Sequence, residues 1–144
     1  MKILFDTSTL IALFVTKHPN HQAAINYFLD AKKREATFYI CTHTLAEFYR
    51  HLTSGRKYLN YSPAMAHRLI TESIAELFIS VPLNENDYIE VISQLKTASL
   101  HGAIIYDGLI AKASAKIQAD FVATYNVEDF QRVWKLTSSK LVEP

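Results

Sequence analysis

Four short segments each carry an acidic or amide side chain where a strand should give way to a helix. They are Asp6 closing KILFD, Glu47 within THTLAEF, Asp107 within IIYDGLIAKAS, and Asn126 with Asp129 within FVATYNVEDF. Brought together, these residues would make a pocket of carboxylates. Like charges crowded into a small volume repel and lose water, so such a cluster holds only if a cation neutralises it or protons are taken up. Oxygen ligands of this kind suit Mg²⁺ or Mn²⁺ rather than zinc, which favours His and Cys. A divalent cation in an open acidic site can bind a phosphate oxygen, activate a water and stabilise the leaving oxygen of a phosphodiester. The expected chemistry is therefore metal-dependent phosphodiester hydrolysis.

Each residue also has a plainer use. Asp6, in Asp-Thr-Ser-Thr, could simply cap a helix. Glu47 could be an ordinary solvated helix residue, although it is wedged between Ala46 and Phe48 beside an apolar face. Asp107 could only favour a helix N-terminus electrostatically. Asn126 and Asp129 have the spacing of a capping box.

The elements that must position these residues follow from pattern. Lys2 to Phe5 reads as a buried strand running into capping residues. Helices are expected over Thr9–Val15, His21–Arg34 and Thr42–Thr53, with a strand over Thr37–Cys41 and Gly55 as a C-terminal cap. Ser62-Pro63 is an N-cap followed by proline in the first turn, opening a helix to about Leu77, and Phe78–Val81 is a third strand. Helices over Glu85–Leu100, ending by a glycine cap near His101-Gly102, and over Ile104–Ile117 lead to a strand at Phe121–Thr124. A short helix from Val127 and an edge strand at Lys140–Val142 close the chain. This alternation predicts an α/β fold: one domain over residues 1–144 with an open, mostly parallel sheet covered by helices. In such sheets the ligand crevice lies beyond the carboxyl ends of the strands. Asp6, Glu47, Asn126 and Asp129 fall on that edge, and Asp107 joins them only if its helix aims its N-terminus there.

The 144 residues, 49% hydrophobic and 20% charged, suit a single globular domain. No apolar stretch nears the roughly 20 residues that span a bilayer, and Asp6 interrupts any secretory signal, so a cytoplasmic location without membrane contact is expected. The lone Cys41 cannot form an intrachain disulfide. The net charge of +1 will not by itself draw the protein to nucleic acid. Local distribution says more: Phe48 to Thr71 lacks Asp and Glu but holds Arg50, Arg56, Lys57 and Arg68 among His and Tyr residues. That mixture suits a phosphate backbone with unstacked bases, or a merely solvated hairpin.

The chain resembles the PIN-domain ribonucleases, specifically the VapC-type toxins of bacterial and archaeal toxin–antitoxin pairs. The resemblance lies in an ordered set: FDTSTLIALF, THTLAEFYRHL, GAIIYDGLIAKASAKIQADFVATYNVEDF and the closing LVEP. It implies a PIN-like sheet of five parallel strands flanked by helices, Mg²⁺- or Mn²⁺-dependent cleavage of single-stranded RNA, a homodimer, and inhibition by a cognate antitoxin. Asp6, Glu47 and Asp107 match the family's metal-ligating acids, and Thr7, Ser8 and Thr124 match the small polar residues around the metal. Asn126 stands where many members have Asp, and Asp129 is then a candidate for the missing charge. Arg50, Arg56 and Lys57 are expected along the RNA path. Leu13, Phe14, Tyr27 and Phe28 are candidates either for the antitoxin groove or for the protein's own core.

Other readings are weaker. A haloacid-dehalogenase-type phosphatase needs a second Asp where Ser8 stands, and a receiver domain needs paired N-terminal acids. Cys41 with His43 is a poor thiol pair, since a lone Cys is usually core. A PIN nuclease outside toxin–antitoxin systems, or a non-catalytic PIN module binding RNA or protein, remains the alternative.

Overall fold

The computed structural model describes residues 1–133 and 137–144. Five strands, β1 (Lys2–Phe5), β2 (Thr37–Cys41), β3 (Ile79–Val81), β4 (Phe121–Ala123) and β5 (Lys140–Val142), form one parallel sheet in the order β3-β2-β1-β4-β5. The chain builds outward from β1 to β3, then crosses back to lay β4 on the other side of β1. The order therefore reverses between β1 and β4, where open α/β sheets leave a crevice.

Period-two alternation divides the strands between two apolar layers. Ile3, Phe5, Phe38 and Ile40 enter one core, while Leu4, Cys41 and Val122 enter the other. The first layer is covered by α1 (Thr7–Phe14), α2 (His21–Lys33), α3 (Thr42–Leu52) and a helix from Pro63 to Leu77. The second is covered by α6 (Glu85–Thr97), α7 (Ile104–Ile117) and α8 (Val127–Val133). Among the described residues no helix is long and apolar enough to cross a membrane.

The helix from Pro63 starts as expected, with Ser62 Oγ accepting from the Met65 amide at 3.2 Å. It runs as α4 (Pro63–Arg68), a π-helical stretch over Leu69–Ile74, and α5 (Ala75–Leu77), which together keep Ala66 and Ile74 buried. Two glycine caps need correction. Helix α6 stops at Thr97, and Ser99 takes the left-handed capping position at φ 52°, with the Leu100 amide donating back to the Leu95 carbonyl, while Gly102, at φ 74°, lies in the following turn. Helix α3 stops at Leu52, and Gly55, at φ 73°, opens the following turn instead.

Of the four candidates for a groove or for the core, Leu13 and Phe28 belong to the core, whereas Phe14 and Tyr27 each also line an open hollow at the surface. Leu13 and Phe28 are buried, and Phe14 and Tyr27 pack partly buried against the same core. Phe28 stacks on Phe38 with centroids 4.5 Å apart, and both sit against Phe5 and Phe78. Aromatic side chains of this size supply much of the apolar area that this core buries.

Candidate active site

Asp6 is the N-cap of α1, and its carboxylate accepts from the Thr7 amide at 2.6 Å, Ser8 Oγ at 2.7 Å and Thr124 Oγ1 at 2.9 Å. The same side chain thus caps the helix and lines the open pocket at the sheet's reversal. Thr124 follows β4 directly, so this network clamps β1 to β4 at the sheet's reversal. The Ser8 hydroxyl also receives the Tyr125 amide at 3.0 Å, and the Thr124 hydroxyl receives the Asn126 amide at 2.9 Å. Two small hydroxyls therefore set both the Asp6 carboxylate and the backbone entering α8.

Glu47 lies in the second turn of α3, and its side chain is only 14% exposed. It accepts from Thr7 Oγ1 at 3.0 Å, which ties α3 to the start of α1. His43, one turn earlier, brings Nε2 to 3.8 Å from Glu47 Oε2 and stacks on Tyr106 at 4.7 Å. Burial holds the His43 pKa below the ordinary imidazole value. Tyr106 precedes Asp107 in the first turn of α7, so this stack joins the helices that carry two of the acids.

Asp6, Glu47, Asp107 and Asn126 line one open pocket of about 410 Å³. The N-terminus of α7 does point at the crevice, as the sequence required. Asp129 stands on the rim, half exposed, with Oδ1 3.7 Å from Arg132 Nη1, and shares an adjoining hollow with Asn126. Arg50, Arg56 and Lys57 are exposed near the pocket mouth; the turn that carries the last two sends Tyr58 and Leu59 into the pocket wall. Sequence reasoning missed His18, Asn20 and Tyr125 there, none of which has a local signal: they reach the wall from loops that converge only in the fold.

Electrostatics agree with the crowding. Burial raises the Asp6 carboxyl above its usual value, although its hydrogen bonds from Ser8, Thr124 and Thr7 pull the other way. Glu47 is raised by burial, partly offset by the Thr7 hydroxyl and raised further by the Asp6 charge. Asp107 is pushed up to about 7 by burial, then by the charges of Asp6, Asp129 and Glu47. Three acids made harder to ionise by burial, two of them also by neighbouring carboxylates, form a site short of positive charge. Among the described residues, no three such side chains close into a ready-made ligand shell. The carboxylate oxygens at this open end of the pocket fit Mg²⁺ or Mn²⁺: magnesium keeps several waters and usually takes one or two carboxylates together with substrate phosphates. By contrast, Cys41 is fully buried and its thiol is pushed up to about 11, which removes it as a nucleophile.

The PIN-domain family model matches residues 3–136. The chain is 33% identical over 115 residues to ribonuclease VapC27 of Mycobacterium tuberculosis, a match covering 80% of this chain and 78% of that protein. Among solved structures it superposes on VapBC2 from Rickettsia felis bound to a DNA fragment from their promoter, with a TM-score of 0.71 and 19% identity. That match covers 100% of this chain and 99% of the other. FitAcB from Neisseria gonorrhoeae gives a TM-score of 0.67 and 25% identity over 99% of this chain and 97% of that one.

Proposed function

The chain belongs to the PIN-domain family, and on that premise we propose that it is a VapC-type endoribonuclease, dependent on Mg²⁺ or Mn²⁺, that cleaves single-stranded RNA as the toxin of a toxin–antitoxin pair. The observation that carries the reading is the meeting of Asp6, Glu47 and Asp107, from three separate elements, in one open pocket beside the sheet's reversal. The similarity to a ribonuclease supports it independently.

In this reading Asp6, Glu47 and Asp107 hold the cation, with Asn126 and Asp129 at its margin. When bound, such an ion neutralises the acids, lowers the pKa of a coordinated water and stabilises the leaving oxygen. The chain's own part is to hold the carboxylates still. Thr7 fixes Glu47, and Ser8 and Thr124 fix Asp6, by the hydrogen bonds described above. In this reading water rather than a side chain attacks phosphorus and no covalent enzyme intermediate forms: Cys41 is buried, and the three hydroxyls serve to fix the carboxylates. A cytoplasmic homodimer and a cognate antitoxin complete the proposal. An antitoxin Arg would suit the acidic pocket, since its planar fork matches carboxylates.

The purified protein should cut single-stranded RNA with Mg²⁺ or Mn²⁺ and stop when the metal is chelated. Full activity in excess chelator would sink the reading. Co-expression with the adjacent reading frame should yield a stable complex and relieve growth arrest.

The exposed basic turn gives a separate expectation. The Arg50 charge opposes the rise in the Glu47 pKa, and the charges of Arg56 and Lys57 act on His51 and His18, which line the same pocket. Replacing all three with Gln should raise KM and reduce the slope of log binding against log salt by up to about 2, at about 0.7 per phosphate contact. An unchanged slope would assign the turn to solvent or to a protein partner.

A further inference from the structure

Phosphodiester hydrolysis accounts for the acidic end of the pocket but not for its other wall. That wall is made by His18, Tyr58 and Tyr125, with Leu59 and Asn20 beside them. The His18 ring lies 5.8 Å from Tyr58 and 6.4 Å from Tyr125, centroid to centroid. The three rings come from three separate segments: the loop after α1, the turn after α3, and the junction of β4 with α8.

Each ring is held in place. The Asn20 amide donates to His18 Nδ1 at 3.1 Å, which makes Nδ1 the acceptor and leaves the ring proton on Nε2. Burial and the nearby His21 and Lys57 keep the His18 pKa below the ordinary imidazole value, so the ring is neutral near pH 7. Tyr58 sits in a turn closed by the Gly55 amide on the Leu59 carbonyl at 2.9 Å and the Leu59 amide on the Arg56 carbonyl at 2.8 Å. Lys57 adopts φ 51° in that turn, which sends Tyr58 to the pocket while its own side chain stays exposed. The Tyr125 hydroxyl donates to the Pro144 carbonyl at 3.2 Å, and its amide is fixed by Ser8.

Rings fixed in this way, next to carboxylates that would hold a scissile phosphate, match the flat π-face of a nucleobase. We propose that His18, Tyr58 and Tyr125 form a base-binding subsite, which takes one unpaired nucleobase adjacent to the phosphate that is cut. The inference deepens the ribonuclease reading and rests on it. A base inside a duplex is stacked and paired and cannot enter such a wall, so the subsite selects single-stranded or looped RNA. Stacking tolerates every base, so this wall contributes strand selection and register more than base identity. The whole pocket, at about 410 Å³, lies in the range of small-ligand sites.

The test uses short RNA oligonucleotides with 2-aminopurine placed at each position in turn, titrated in Mg²⁺ with the Asp107→Asn protein so that the RNA stays whole. Fluorescence should be quenched at one position next to the cleavage site. Adding Tyr58→Ala should abolish that quench and weaken binding roughly 5- to 150-fold, the range for one stacked base. Tyr58→Phe, which keeps the ring, should restore both. With the otherwise wild-type protein, an abasic residue at that position should slow cleavage by a similar factor, and Tyr58→Ala should then add no further loss. Retained quenching and affinity in both Tyr58→Ala and His18→Ala would overturn the subsite, even if wild-type cleavage is intact. Failure of the ribonuclease reading shows differently, as no metal-dependent cleavage by the wild type. In that case a position-specific quench still supports a base site, and a uniform or absent one overturns it.

Discussion

Asp107→Asn is expected to lower RNA cleavage by roughly 10³-fold or more while making the metal-free protein more stable. Asn keeps the shape of the side chain and removes its charge. In the fold that charge is opposed by burial and by Asp6, Asp129 and Glu47, which push the carboxyl from its usual 3.8 up to about 7. Between these values the folded protein keeps a proton that the unfolded chain has released. Stability of the wild type therefore falls as pH rises through that window and levels off above it. The advantage of Asp107→Asn should be absent below about pH 4 and complete above about pH 7. Allowing for solvent screening at this partly exposed group, it should reach on the order of 1–3 kcal/mol, or roughly 3–9 °C in Tm. Saturating Mg²⁺ should narrow the gap by stabilising the wild type more. Melting curves of both proteins in chelator from pH 4 to 8 decide it; equal activity, or a gap independent of pH, would refute the assignment.

Asp6→Ala should abolish cleavage as completely but shift stability the other way. Although burial also raises its pKa, Asp6 is the acceptor that satisfies the Thr7 amide, the Ser8 hydroxyl and the Thr124 hydroxyl. Removing it uncaps α1 and strands buried donors at the seam between β1 and β4. The cost should be about 2–4 kcal/mol, or roughly 6–12 °C in Tm. Asp6→Asn, which still offers a carbonyl oxygen to the cap, should recover part of that stability but not the activity. Thermal melts of the three proteins in chelator, beside cleavage assays, separate the two roles. If Asp6→Ala melts with or above the wild type, the hydrogen bonds around Asp6 do not hold the seam.

These opposite signs could not be read from the chain. Asp6 and Asp107 look alike in sequence, each at a helix start. What separates them is the set of donors around each carboxylate, and Thr124, the donor that joins Asp6 across the seam, is 118 residues away. The same holds for the fourth position. In sequence Asn126 holds the family's position and Asp129 the spare charge, with nothing to choose between them, whereas the fold sets Asn126 on the pocket and Asp129 on the rim beside Arg132.

By itself the sequence determined what depends on near neighbours. Strand and helix type followed from apolar periodicity, the start of the Pro63 helix from Ser62, and the carboxylate ends of β1 and α7 from residues adjacent to them. The family motifs, being ordered along the chain, were legible for the same reason. Helix ends were less so, because Ser99 as well as glycine can hold the left-handed position. Tertiary structure alone decided which residues meet. The crossing from β3 to β4 over β1 brings Thr124 to Asp6, turns the N-terminus of α7 toward Glu47, and gathers His18, Tyr58 and Tyr125 into one wall. It also sent Leu13 and Phe28 inward, where an apolar residue is indistinguishable in sequence from one on a docking face. Local patterning shows that a residue lies on an apolar face; which partner covers that face is settled by long-range packing, to which no short window of sequence is sensitive.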